Sequence, residues 1–148
     1  MITDEPALPL EYGRPREKWG DAALPGWQAL PDVLLKQQTV LELSATDMLV
    51  AINLLSYWWY ADNLPFPRVR TIADRMGVTA RTVQRSIQKM IDKGYFKKRT
   101  DVDPSGKERE VLDPSGLAKR LQELAKRDTS YHYRKLRERE RGLQTPPF

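Results

Sequence analysis

TIADRMGVTARTVQRSIQKMIDKG, Thr71 to Gly94, has the residue order of two helices separated by one tight turn. Ala73 is small enough for a second helix to come close. Gly77, four residues on, can take the positive φ that ends the first helix. Val78 is an apolar plug behind the turn, and Thr79 is a good N-cap for the second helix. Val83, Ile87, Met90 and Ile91 recur at i, i+4, i+7 and i+8, the spacing of one buried helical face. The opposite face holds Arg81, Thr82, Gln84, Arg85, Gln88 and Lys89, side chains able to reach phosphates and base edges. A charged helix face is ordinary; the ordered small residue, glycine, cap and plug are the specific signal.

The charge of the chain is concentrated around this stretch. Residues 66–100 hold ten Lys or Arg against two Asp or Glu, a net of +8. Residues 1–65 have four against nine, and residues 101–148 eleven against nine, which gives the overall +5. A basic surface confined to one segment is the electrostatic footprint expected for a polyanion.

Upstream, residues 1–29 carry scattered charges and four prolines before Gly26, which predicts an extended or disordered arm. Trp19 and Trp27 are costly in water, so the arm is expected to dock through them on the domain or on a partner. Residues 30–43, rich in Val and Leu, read as a short helix or irregular lead-in. Ser44-Ala-Thr-Asp47 resembles a capping box. The helix it opens runs to about Tyr60 and is apolar nearly all round, as a central buried helix should be. Trp58, Trp59 and Tyr60 leave a dimer contact open. Asp47, Asn53 and Ser56 interrupt the run, and it falls short of the ~20 apolar residues of a membrane span.

Leu64-Pro65-Phe66-Pro67 breaks that helix and favours an extended path or short edge strand. After Gly94, residues 95–100 and 107–112 flank the turn former Asp103-Pro104-Ser105-Gly106, which predicts a β-hairpin carrying Lys97, Lys98, Arg99, Lys107 and Arg109. The second Asp-Pro-Ser-Gly, at 113–116, instead opens a helix with Leu117, Leu121 and Leu124 at i, i+4 and i+7, capped by Asp113 or Ser115. Residues 128–148 form a charged tail that extends this helix or makes a solvated helix, a partner helix or an extra phosphate contact, solvated being the default.

Composition argues against other classes. There is no cysteine, hence no disulfide, thiolate chemistry or Cys-based zinc site. The one histidine, His132, stands in an Arg/Glu-rich tail, and Asp101 and Asp103 fit turn chemistry better than a metal. No Gly-rich phosphate loop is present. The expectation is therefore no enzyme, cofactor or metal. With no signal peptide apparent, the expected location is the cytoplasm. Single-stranded RNA would call for aromatic stacking, whereas Phe96 is the main aromatic of the basic hairpin.

Helix, helix, recognition helix and basic hairpin, in that order, resemble the winged helix-turn-helix family of bacterial and phage regulators and mobile-element replication initiators. The likeness covers residues 30 to 124 and is strongest from Phe66 to Lys98; VLDPSGLAKRLQELA, residues 111–125, is similar to the segment that follows the wing in many such proteins. It implies an α+β, mostly α fold, with a three-helix core, a β-hairpin wing and an additional C-terminal helix, in a domain spanning residues 30–127. It implies that the helix from about Ala80 to Lys93 lies in the major groove, with Thr79, Arg81, Thr82 and Arg85 nearest the DNA. Arg81 and Arg85 would suit guanine edges, and Gln84 and Gln88 adenine. Arg68, Arg70 and Thr71 would hold phosphates. Lys97, Lys98, Arg99, Lys107 and Arg109 would reach backbone from the wing strands, since Asp101 and Asp103 oppose deep insertion of the tip. Expected partners are double-stranded DNA, with room for a homodimer and for a protein bound through the N-terminal tryptophans or the C-terminal helix. A transcriptional regulator is the leading role; a replication initiation or partition protein, or a protein-interaction module, are the alternatives.

Overall fold

The computed structural model describes residues 10–58 and 63–142, with the side chains of 10–14 outside that description. The chain divides into two compact units, Met1–Asp32 and Val33–Phe148. In the first, α1 (Leu10–Trp19) leads into a 3-10 turn, Gly20–Ala23. An extended or disordered arm was expected here. Prolines read as breakers, yet Pro15 lies within the helix. Arg16 and Asp21 pair at 2.9 Å.

The second unit begins within α2 (Asp32–Lys36) and continues through α3 (Gln38–Leu41). Next comes α4 (Ala45–Leu55), which opens on the expected capping box: Ser44 Oγ accepts from the Asp47 N–H, and the Ser44 N–H donates to Asp47 Oδ2, both at 3.1 Å. Met48, Val50, Ala51 and Leu54 of α4 are buried, whereas Leu49 is half exposed. The helix stops at Leu55, short of the expected Tyr60, where Ser56 and Trp58 N–H groups turn back onto Ile52 and Leu55 carbonyls. Trp59 and Tyr60 lie outside the described residues.

α5 (Val69–Met76) ends at Gly77 with φ +66°, the left-handed cap foreseen for it, and the Val78 N–H closes the turn on the Ala73 carbonyl. Ala73 is buried at the close approach. Thr79 caps α6 (Ala80–Asp92) by accepting from the Thr82 N–H at 3.2 Å. Val83, Ile87 and Met90 are buried and Ile91 is only half-buried. α4, α5 and α6 pack against one another. Each large aliphatic side chain buried there contributes about 1.5–3 kcal/mol.

The hairpin pairs β1 (Lys97–Val102) with β2 (Glu108–Asp113) in antiparallel register, Lys97 opposite Asp113 and Val102 opposite Glu108. Its turn is held by Asp103 Oδ1, which accepts from the Ser105 and Lys107 N–H groups at 2.9 Å each. The Pro65 carbonyl accepts from the Leu112 N–H, so the proline-rich link runs along the edge of β2. Tyr95 ties the parts together: its hydroxyl donates to the Leu41 carbonyl at 2.8 Å, and its carbonyl accepts from the Leu117 N–H.

α7 (Ser115–Ala125) buries Leu117, Leu121 and Leu124, as their spacing predicts. Asp113 Oδ1 accepts from the Ser115 N–H at its start. The tail was expected to extend this helix or to form a solvated helix; Asp128 starts a separate α8 (Thr129–Glu140) with no buried residue, accepting from the Ser130 N–H at 2.9 Å. Lys36 also reaches Asp128, at 3.0 Å. The Ser130 hydrogen bonds, with Lys36 beside them, hold the Asp128 carboxyl below the usual range. The result is an α+β, mostly helical arrangement of a three-helix core, a two-stranded wing and C-terminal helices.

Candidate nucleic-acid interface

At 100° per residue, Arg81, Arg85, Gln88 and Asp92 fall in one outward stripe of α6, opposite the buried Val83, Ile87 and Met90. Arg81, Gln84 and Arg85 are exposed, and their side chains have no partner among the described residues. Gln88 is engaged further down, its amide donating to Asp92 at 2.9 Å. A neutral amide and a carboxylate thus close the stripe at its C-terminal end, leaving the first two turns as its cationic part. Thr79 and Thr82 flank that part with hydroxyls 3.1 Å apart, the former spent on the cap.

Lys89 points elsewhere. Its ammonium lies 2.7 Å from Asp47 Oδ2, and Ser86 Oγ, one turn earlier, donates to Asp47 Oδ1 at 2.8 Å. Asp47 is 3% exposed. Burial pushes its carboxyl up, but the hydrogen bonds from Lys89, Ser44 and Ser86 outweigh that and hold it at about 2. One turn beyond, Lys93 bonds Glu42 at 2.8 Å; the pair depresses the Glu42 carboxyl and raises the Lys93 ammonium. Glu42 sits in a left-handed conformation at the end of α3, which brings its side chain to α6. Neither contact was read from the sequence, because 42 and 51 residues separate the partners. The signal available was Asp47 itself, a carboxylate in an otherwise apolar helix.

At the start of α5, Arg68 and Arg70 are exposed and Thr71 is half-buried. The guanidinium carbons of Arg68 and Arg109 each lie 5.6 Å from the Phe66 ring centroid, so this phenyl bridges the α5 entrance and β2. Cation–π pairs of this kind contribute about 0.5–1 kcal/mol at exposed sites.

The wing is less basic than its lysines suggest. Residues 97–113 hold five cations, Lys97, Lys98, Arg99, Lys107 and Arg109, and five carboxylates, Asp101, Asp103, Glu108, Glu110 and Asp113, for a net charge of zero. Arg99 Nε is bound to Asp113 at 2.6 Å, Arg109 lies 3.5 Å from Asp101, and Lys98 is 3.9 Å from Glu110. Burial raises the Asp113 carboxyl, and the bonds from Ser115 and Arg99 overcome it and lower it. Lys97 and Lys107 alone among the wing cations have no side-chain partner among the described residues.

Residues 41–95 match the family described as a helix-turn-helix domain. The match spans 55 of the 148 residues, and over that stretch the chain is similar to the helix-turn-helix family. No match to the chain is found among curated proteins. The matched stretch takes in α4, the left-handed Gly77 turn and the whole of α6, and it ends at Tyr95, before the hairpin. Its architecture is one that presents the second helix of the motif to duplex DNA. Among the described residues, no helix of the chain is long and apolar enough to cross a membrane, and no group of three or more His, Asp or Glu side chains could hold a metal ion. His132 is exposed on α8, edge-on to Tyr131.

Proposed function

We propose that this protein binds double-stranded DNA in a sequence-specific way and acts as a transcriptional regulator. The observation that carries the reading is the pair Arg81 and Arg85. They are exposed one turn apart at the start of α6, without internal partners among the described residues, in a stretch similar to the helix-turn-helix family. A guanidinium can take the O6 and N7 edge of guanine bidentately, which a surface salt-bridged arginine could not do freely. Gln84, on the adjoining flank, would take adenine. Arg68, Arg70 and Thr71 would hold phosphates from the entrance of α5, with Lys97 and Lys107 added from the wing. Lys98, Arg99 and Arg109 contribute less to the phosphate interaction than their number implies, since carboxylates of the wing accompany them.

Selection of the purified protein on random duplex DNA at about 150 mM salt tests this, with the Arg81→Ala/Arg85→Ala double variant as control. A motif lost in the control supports recognition through α6. An inverted layout supports a dimeric regulator, and a tandem layout a replication initiation or partition protein. No motif, with native and control alike, refutes the DNA reading and favours a protein-interaction module.

A further inference from the structure

The outward side chains of the cationic half of α6, Arg81, Gln84 and Arg85, have no hydrogen bond or ion pair among the described residues, whereas the C-terminal half is fastened on one flank. Ser86 and Lys89 both reach the buried carboxylate of Asp47 on α4, and Lys93, the next residue along that flank, reaches Glu42 at the end of α3. Asp47 is fixed in turn, because its Oδ2 closes the capping box with the Ser44 N–H. The chain of bonds therefore runs from the first turn of α4 to the flank of α6, lying 80–140° around the helix from Arg81. Apolar packing of Val83, Ile87 and Met90 resists translation of α6 but is non-directional. Directional bonds to a buried carboxylate resist rotation. At an outer helix radius of about 6 Å, a roll of 20° carries a side-chain group about 2 Å. That displacement exceeds the tolerance of a bidentate hydrogen bond, which spans only about 2.7–3.2 Å.

We infer that Asp47, Ser86 and Lys89 form a clamp that sets the rotation of α6 about its axis, making Lys89 a positioning residue for base reading and not a phosphate contact. The inference rests on the DNA-binding reading above. It separates two effects that a lysine on a recognition helix can have. A phosphate contact strengthens binding to every sequence and releases counterions; a positioning residue acts on the difference between the right sequence and the wrong one.

The test measures Kd for the selected duplex and for a scrambled duplex of equal length, across a series of KCl concentrations. The proteins are native, Lys89→Ala, Lys89→Arg and Asp47→Asn, each at a temperature where its circular dichroism is native. The expected result is that Lys89→Ala and Asp47→Asn shrink the ratio of specific to non-specific affinity about tenfold. The salt slope on scrambled DNA should stay at the native value, and Lys89→Arg should restore the ratio by keeping a cation on Asp47. Lys89→Ala with an unchanged ratio and a slope lower by about one makes Lys89 a phosphate contact and overturns the clamp. So does an Asp47→Asn protein that keeps the native ratio. If the native protein itself shows no preference for any duplex, the DNA reading fails, a result distinct from failure of the clamp alone.

Discussion

Replacing Asp47 with Asn should make the stability of the domain less dependent on pH, by an amount that follows from its surroundings. Asn keeps one oxygen to accept from the Ser44 N–H, and the Ser86 hydroxyl can turn to accept from the amide NH2 at the other position, so the change chiefly removes the charge facing Lys89. In the folded protein the carboxyl sits at about 2 against an ordinary 3.8. A carboxyl depressed on folding stabilises the native state above its unfolded value, and that stability drains away as the pH falls through the folded one. At 1.36 kcal/mol per pKa unit, the shift corresponds to about 2 kcal/mol at pH 7 and about 1 kcal/mol at pH 3. Lys89 is half exposed, so solvent screens its share and these are upper figures. Urea unfolding of native and variant protein at pH 7, 4 and 3 gives the comparison. Asp103, Asp113, Asp128 and Glu42 are also depressed, but they are present in both proteins and cancel in the difference. The gap between the two should narrow as the pH drops from 4 to 3. A gap of constant size over the whole range would refute the assignment of the carboxylate to a Lys89 pair.

Other consequences are smaller in scope. Gly77→Ala should cost about 1–2 kcal/mol in thermal or urea unfolding, because φ is +66° there while nothing crowds the position. Gly116→Ala should cost more, on the order of 3 kcal/mol, since a Cβ would collide with the Gly94 carbonyl oxygen where α7 leaves the wing; a neutral result would mean that α7 can shift away. Arg81→Ala should lose about 1–3 kcal/mol of specific DNA affinity and relax preference at one or two base pairs, read by repeating the selection. Lys107→Ala should lower the salt slope of DNA binding by roughly one if it meets a phosphate, whereas Arg99→Ala should leave that slope and cost about 1 kcal/mol of stability by stranding Asp113.

Much of the architecture was legible because its causes are local. The Gly77 turn, the Thr79 cap, the Ser44–Asp47 capping box and the Asp103-Pro104-Ser105-Gly106 hairpin each depend on residues within four positions of one another. The leucine spacing of α7 and the buried face of α6 follow from helical periodicity alone. The first unit and the tail were less legible, because prolines and dense charge lower helix propensity without forbidding helices that find a cap, as α8 does at Asp128.

The sequence by itself determined the two-helix motif, the hairpin and the segment on which positive charge accumulates, since periodicity, turn chemistry and composition are properties of neighbouring residues. Which of those charges face outward was decided only by tertiary structure. Lys89 and Arg85 look equivalent on a helical wheel, and Arg99 looks as available as Lys107. The fold brings the buried Asp47 to Lys89 and Asp113 to Arg99, while Arg81 and Arg85 meet no carboxylate among the described residues. A charge is neutralised by what lies within a few ångströms in space, and those partners come from strands and helices 14 to 42 residues away in the chain.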